Sequence, residues 1–469
     1  MHVHFIAVAG TAMAPVALMA SQKGYIVSGS DNGIYPPMST LIADSNILFY
    51  DTFNIENLQK KPDLVVVGNA VSRGNIELEY VLNNKIPYIS QAEFVYREFI
   101  HNKNSIVITG THGKTTTTSL TAWVFENAGK HPGYLIGGSC FEFSVPGRIG
   151  KPETTEFIIE GDEYDTVYYD KRSKFFHYRP DILVINNLEY DHADIFSSLD
   201  EIKTSFKRLV NMVPANGIIF ANGDDDNVRE VTEKAFCKIV KFGEAGHNEL
   251  RLENFEERAE GFHAEYLVFN KRISLQSKLG GKHNALNSLV AMAVALHRNI
   301  PEPQILEALS SFRGVKRRLE MLYNSPELVV YDDFAHHPTA IAGILKTLRE
   351  RHSQNRLIAV IDLRSNTMVR NVFQEQLASA LQLADVVILN EIYRKEKYKE
   401  NEILNIDKLV KTLQSKGVNA IEGKNPDQIL IELKNLQQAN DTIVLCSNGS
   451  FGGLSAKIQQ QFSAESGMP

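Results

Sequence analysis

The stretch Gly110-Thr111-His112-Gly113-Lys114-Thr115-Thr116 carries the most specific chemistry in the sequence. The apolar run Ile106 to Ile108 before it reads as a short buried strand, and TTSLTAWVFENAG after it continues as a helix. Gly110 and Gly113 allow a tight loop whose backbone N–H groups turn inward. Strand, glycine loop, Lys-Thr and helix together make a phosphate cradle: amides and a helix N-terminus hold the anion, and Lys114 neutralises it. Thr115 can then put its hydroxyl on Mg²⁺. Ile108 stands where the longer Walker pattern has its first glycine, and no other position departs from that pattern. These residues predict an ATP-using site.

Two acidic clusters follow apolar runs. Glu160, Asp162, Glu163 and Asp165 come after Phe157-Ile158-Ile159, and Glu189, Asp191, His192 and Asp194 come after ILVINN. Either alone reads as a solvated loop. Two of them at strand ends beside a phosphate loop suit Mg²⁺ instead. Further on, His283, Asn284 and Asn287 stand at the start of an alanine-rich helix, where amides either read an adenine edge or cap the helix. Lys316, Arg317 and Arg318 form a basic knot.

The elements that must position these groups alternate strand and helix. HVHFIAVAG, a helix from Thr11 and YIVSGSD make a βαβ start, with Asp31 about twenty positions past Gly10, as at a dinucleotide site. Gly10, Thr11, Ser30 and Asp31 are thus candidates to face a nucleotide-bearing substrate, whose diphosphate the helix start would meet. HNKN at 101–104 reads as a hinge. PGYLIGG, EFIIEGDEYD, PDILVINN and NGIIFANGDDD then predict a parallel α/β domain. ELVVYDDFAHHP begins a third α/β unit, with Pro338 near a helix start, where proline is tolerated.

At 469 residues the chain is too long for one core. Its 43% hydrophobic and 22% charged content is that of a soluble globular protein, without an apolar run of membrane-spanning length or a basic leader. A net charge of −7 argues against general nucleic-acid binding. Cys140, Cys237 and Cys446 lack metal-ligand spacing and read as thiols of a reducing cytoplasm.

GTHGKTTTT, EGDEYD, NNLEYDHADIF, GKHNALNS, VKRRLE and YDDFAHHP recur in order like the motifs of the Mur ligases, over nearly the whole chain. Within that family, PPMST, GNAVSRGN, DEYDTVYYDKRSKF, RSNTM and SNGSFGG resemble the members that use a recycled tripeptide rather than L-alanine. The resemblance implies three domains: a UDP-sugar-binding Rossmann-like domain over 1–100, a central P-loop ATPase domain over 101–314 and a C-terminal Rossmann-like domain over 315–469. It implies ATP- and Mg²⁺-dependent joining of UDP-N-acetylmuramate to L-alanyl-γ-D-glutamyl-meso-diaminopimelate through an acyl phosphate. Lys114, Glu160 and His192 would be catalytic, and Thr115, Glu160 and His192 would hold metal. The segment Gly110–Thr116, with Asn284, Arg318 and Asp333, would meet the nucleotide. The tripeptide brings carboxylates, for which Arg364 is a bidentate partner with Ser365 and Asn366 as neutral donors. Lys171 and Arg172 are a second basic pair. Lys207 matches a carbamylated lysine of some relatives but reads more simply as a surface helix lysine. Gly161 in place of alanine, and Asp362-Leu363 in place of Glu-Pro, depart from the family pattern. A small-molecule kinase and a nucleotide-binding regulator without turnover share the phosphate loop. The kinase would not need the third unit.

Overall fold

The computed structural model describes residues 1–34 and 38–465, so Pro36 and Pro37 of PPMST lie outside the described residues. Three large sheets follow one another along the chain, with a two-stranded hairpin between strands of the second. The first has five parallel strands, with His2–Ile6 between Ile26–Ser30 and Leu64–Val67, and Leu48–Tyr50 and Tyr88–Ser90 at the edges. Its central strands are buried on both faces, as a sheet between helical layers requires, with His4, Ser28 and Ser30 forming a buried polar cluster on one of them. The opening strand ends at Ile6, earlier than expected, and the helix begins at Met13 rather than Thr11. Ala7, at φ 67°, takes the left-handed bend after the strand.

The second sheet has ten strands and places the phosphate-loop strand Asn104–Thr109 between Ile182–Ile185 and Glu156–Glu160. Both acidic clusters therefore leave the sheet beside the loop that carries Lys114. The expectation of a wholly parallel domain is corrected at the far edge. Leu250–Arg258, Gly261–Val268 and Lys271–Ser277 form an antiparallel meander, in which Phe262, Ala264, Tyr266 and Val268 point inward at every second position.

The helix Lys114–Asn127 is buried along its threonine run. Burial of hydroxyls is tolerated where they find acceptors: Thr118, Ser119 and Thr121 donate to the carbonyls of Lys114, Thr115 and Thr117 one turn back. Against it packs Lys282–His297, whose alanines and branched residues are buried almost all round.

The third sheet has six strands, parallel except for the edge strand Glu320–Asn324. Pro338 is the first residue of the helix Pro338–Arg351, as its missing N–H favours. The sheets are joined by side chains. The hairpin Asp165–Ser173 inserts Val167 among Val65, Val67 and Val71 of the first layer. Arg351 of the third pairs with Glu257 of the meander, which also accepts from the Gly281 amide. No helix of the described residues is long and apolar enough to cross a membrane.

Candidate active site

Gly110 and Gly113 adopt φ 124° and 81°, the left-handed conformations a tight strand-to-helix turn needs. A Cβ on Gly110 would stand 2.9 Å from the Asn187 nitrogen, and one on Gly113 2.8 Å from Asn287 Oδ1. The loop is thus pressed against the segment that follows Ile182–Ile185. One expectation changes here. The amides of Thr111 and His112 donate to the Asn187 carbonyl and Oδ1, so they fasten the loop rather than turn toward an anion. The amides left for a phosphate are those of the first helical turn, from Lys114 to Thr116, which have no partner within the helix.

Lys114 Nζ donates to Glu163 Oε1 at 2.8 Å and to the Gly110 carbonyl at 2.8 Å. Burial pulls its pKa down, but the charges of Glu163, Glu160 and Asp162 outweigh that and leave it raised, so the lysine is a fixed cation. Glu163 Oε1 also meets His192 Nε2 at 2.9 Å, while Glu163 Oε2 is buried without a partner. Burial opposes ionisation of Glu163, yet Lys114 and His192 hold its pKa below the usual range. Burial lowers the His192 pKa, but Glu163 and Asp191 more than compensate and raise it. His192 has φ 55°, a strained conformation for a residue with a Cβ.

Glu160 Oε1 accepts from Thr115 Oγ1 at 3.2 Å and Oε2 from the Gly137 amide at 2.9 Å. Burial raises its pKa, and Lys114 only partly offsets this. Oxygens that share an edge of a Mg²⁺ octahedron lie about 2.9 Å apart. The Thr115–Glu160 pair is thus nearly at the bite a hard cation requires, and the unpartnered oxygen of Glu163 offers a further anionic ligand. Gly161, the departure from the family pattern, is required by space: a Cβ there would stand 2.4 Å from Thr109 Cγ2.

The third sheet contributes His336 and His337. His336 Nε2 lies 3.9 Å from Asp191 Oδ2, and burial pushes its pKa down to about 4. His337 Nδ1 lies 3.4 Å from Glu189 Oε2, which His112 Nε2 also approaches at 3.1 Å. His112, Glu189 and His337 thereby tie the phosphate loop to the third sheet. Arg318 lies between Arg317 and Leu319, whose φ values are 58° and 49°, with its guanidinium over the Phe334 ring and its charge felt by Asp333. Asp333 itself is engaged, accepting from the amides of Leu319 and Ala335 at 2.7 Å each.

The Arg364 guanidinium lies over Tyr393, its Cζ 4.1 Å from the ring centroid, and passes so close to Gly449 that a Cβ there would push the guanidinium aside. RSNTM and SNGSFGG therefore meet in space. Ser365 closes its own turn by accepting from the Met368 amide, and Asn366 accepts from the Tyr398 hydroxyl.

Other expectations need correcting. Ser30 is buried and donates to Glu77, beside His4, so it faces the interior rather than a ligand. Asp31 accepts from the Ala9 amide and braces the turn on which Gly10 and Thr11 stand exposed. Asn284 donates to the Gly280 carbonyl and accepts from Asn287 one turn on in its own helix, so its amide braces the start of that helix instead of reading a base. Lys171 and Arg172 pair with Asp165 and Asp170 in their own hairpin. Lys207 is half exposed and paired with Glu230, an ordinary surface lysine. Sequence reasoning overlooked Asn187 as the clamp on the loop and Glu163 as the link between Lys114 and His192. Both stand inside quoted motifs, but nothing in their spacing sets them apart from their neighbours.

Comparison with known proteins matches three stretches of the chain. Residues 2–101 match the Mur ligase family catalytic domain, 108–295 the Mur ligase middle domain, and 317–449 the Mur ligase glutamate ligase domain. The UDP-N-acetylmuramate–L-alanyl-γ-D-glutamyl-meso-2,6-diaminoheptandioate ligase of Haemophilus influenzae is 37% identical over 463 residues, covering 97% of this chain and 98% of the relative. The UDP-N-acetylmuramate–L-alanine ligase of Clostridium tetani is 31% identical over 449 residues, covering 95% of each. Among solved structures, a murein peptide ligase from Psychrobacter arcticus superposes with a TM-score of 0.72 at 32% identity, covering 98% of each chain.

Proposed function

Since this chain belongs to the Mur ligase family, we propose that it joins UDP-N-acetylmuramate to the tripeptide L-alanyl-γ-D-glutamyl-meso-diaminopimelate with cleavage of ATP to ADP and phosphate. The observation that carries the choice of tripeptide over L-alanine is the higher full-length identity to the tripeptide ligase than to the L-alanine ligase. The reaction is a cytoplasmic one. On this reading residues 1–100 hold the UDP-sugar, 101–314 the ATP and 315–469 close over both.

A carboxylate does not acylate an amine until it carries a leaving group. The muramate carboxylate takes the γ-phosphoryl group, ADP departs, and the alanyl amine then displaces phosphate from the acyl carbon. Phosphoryl transfer depends on positioning and charge. Lys114 stands as the fixed cation beside the transferred group, with the first-turn amides of its helix around the phosphates. Thr115, Glu160, Glu163 and His192 would hold Mg²⁺, which when bound would neutralise the charge of the phosphates. Arg318 faces the nucleotide, while Asn284 and Asp333 keep the walls of its site in place. Gly10 and Thr11 meet the UDP diphosphate, and Arg364 meets a tripeptide carboxylate.

The test is phosphate release with UDP-N-acetylmuramate, tripeptide and L-alanine, each alone and in pairs. Release that requires muramate and tripeptide together, with a joined product, is expected. A stable phosphorylated product would mean a kinase, preference for L-alanine would mean the other ligase, and no substrate-dependent release would leave a regulator.

A pH dependence follows from His192. Its folded pKa is raised, and a metal ligand must be the neutral ring. Proton and cation therefore compete below that pKa, and the competition disappears above it. The Mg²⁺ concentration for half-maximal rate should fall as pH rises from about 6 to about 8. In His192→Gln that slope should flatten. An unchanged slope in the variant would separate His192 from the metal.

A further inference from the structure

We propose that a cleft between the second and third sheets receives the far end of the peptide, the terminal residue whose side chain carries both a carboxylate and an ammonium. The proposal rests on the ligase reading above. The cleft is a cavity of about 340 Å³ lined by Tyr190, Ser197, Leu199, Arg370, Val372 and Glu402. Tyr190 stands two residues before His192, and Arg370 stands six residues after Arg364 in the same loop. The two walls are joined where the Ala193 amide donates to Thr367 Oγ1 at 3.2 Å and where Tyr190 stacks on Phe373. The cleft thus adjoins both the reacting centre and the first carboxylate subsite. Three extended residues reach roughly 10 Å, so a peptide whose amine sits at the acyl carbon must find a second place for its other end.

The chemistry of the lining fits that end. Arg370 Nη1 lies 3.4 Å from Glu402 Oε2, a loose pair with both partners partly exposed. A group bearing carboxylate and ammonium together can take Arg370 with the one and Glu402 with the other. Leu199 and Val372, the latter 51% exposed, offer apolar surface to the methylenes between. The amide end of the helix Leu199–Val210 is already closed by Ser198 and Glu201, so the cationic group of the cleft is Arg370. The floor is held before any ligand arrives: Arg370 bridges to Ile403, and Asn371 donates to the Glu402 and Asn401 carbonyls.

The experiment compares the wild-type chain with Arg370→Gln, Glu402→Gln and Val372→Trp in full steady-state kinetics. All three positions are at least partly exposed, and Val372→Trp fills the cleft from its mouth. The expected result is a rise of about ten- to hundred-fold in tripeptide KM, with KM for ATP and UDP-N-acetylmuramate within about twofold of wild type. A second peptide, with L-lysine as its third residue, lacks the distal carboxylate and is measured as a competitor of the tripeptide. Its inhibition constant should be the same in wild type and Arg370→Gln, because the contact is already missing. Unchanged tripeptide KM in all three variants would overturn the proposal, as would an equal loss toward both peptides in Arg370→Gln. Failure of the wild-type chain to use the tripeptide at all would instead overturn the ligase reading.

Discussion

Lys114→Gln should lower kcat by about a thousandfold, the range seen when a fixed charge beside a transferring phosphoryl or acyl oxygen is removed. The lysine makes two kinds of contact, and the variant separates them. Toward the substrate it supplies the cation; toward the protein it neutralises Glu163 and, more distantly, Glu160 and Asp162. Breaking a buried pair by removing one partner costs about 3–5 kcal/mol. Part of that is relieved, because His192 still meets Glu163 Oε1. A lower melting temperature is therefore expected alongside the loss of turnover. Without Lys114 the pKa of Glu160, already raised, rises further, so the stability deficit should shrink as pH falls and that carboxylate takes up a proton. Turnover is measured at saturating substrates on protein whose melting transition shows it folded. Near wild-type kcat in such a sample would remove Lys114 from the reaction.

Arg364→Ala should act on the peptide and spare the nucleotide. The guanidinium rests on Tyr393 and lies 3.9 Å from Asp362 Oδ2. Asp362 already accepts from Ser447 and Asn390, so the arginine makes no hydrogen bond on which the carboxylate depends. That leaves its hydrogen-bonding edge for a substrate carboxylate. Losing a desolvated charge-assisted contact costs about 2–5 kcal/mol, to be read as a fall in kcat/KM for tripeptide with KM for ATP and UDP-N-acetylmuramate unchanged. Arg364→Lys should recover only part, since an ammonium neither stacks on Tyr393 in the same way nor presents a fork. Equal losses toward all three substrates would show that the residue supports the loop instead.

The phosphate loop was legible because its chemistry is local. Glycine positions, Lys114 and the helix start are fixed by a few consecutive residues, and the structure keeps them so. The antiparallel meander is missed in the sequence, which predicts a parallel domain there: Phe262, Ala264, Tyr266 and Val268 do alternate, but no motif stands among them. What sequence could not give is the partner of each polar group. Ser30, Asn284 and the amides of Thr111 and His112 look available until the fold brings Glu77, Asn287 and Asn187 against them. Glu77 and Asn187 come from distant parts of the chain, and Asn287 lies one helical turn from Asn284, so packing and local geometry together decide whether a donor faces a ligand or a neighbour.

The buried threonine helix divides its hydroxyls by evolutionary freedom. At positions 118, 119 and 121 the side chain merely returns a proton to the preceding turn, and at 117 it meets Asn287. Alanine or valine at 118, 119 or 121 would leave the backbone ladder intact, so descendants of this sequence can drift there while shape is kept. Thr115 is different, because its proton goes to a carboxylate that a cation would claim. Only serine shares its oxygen, and lineages that keep the reaction are confined to those two residues at that one site.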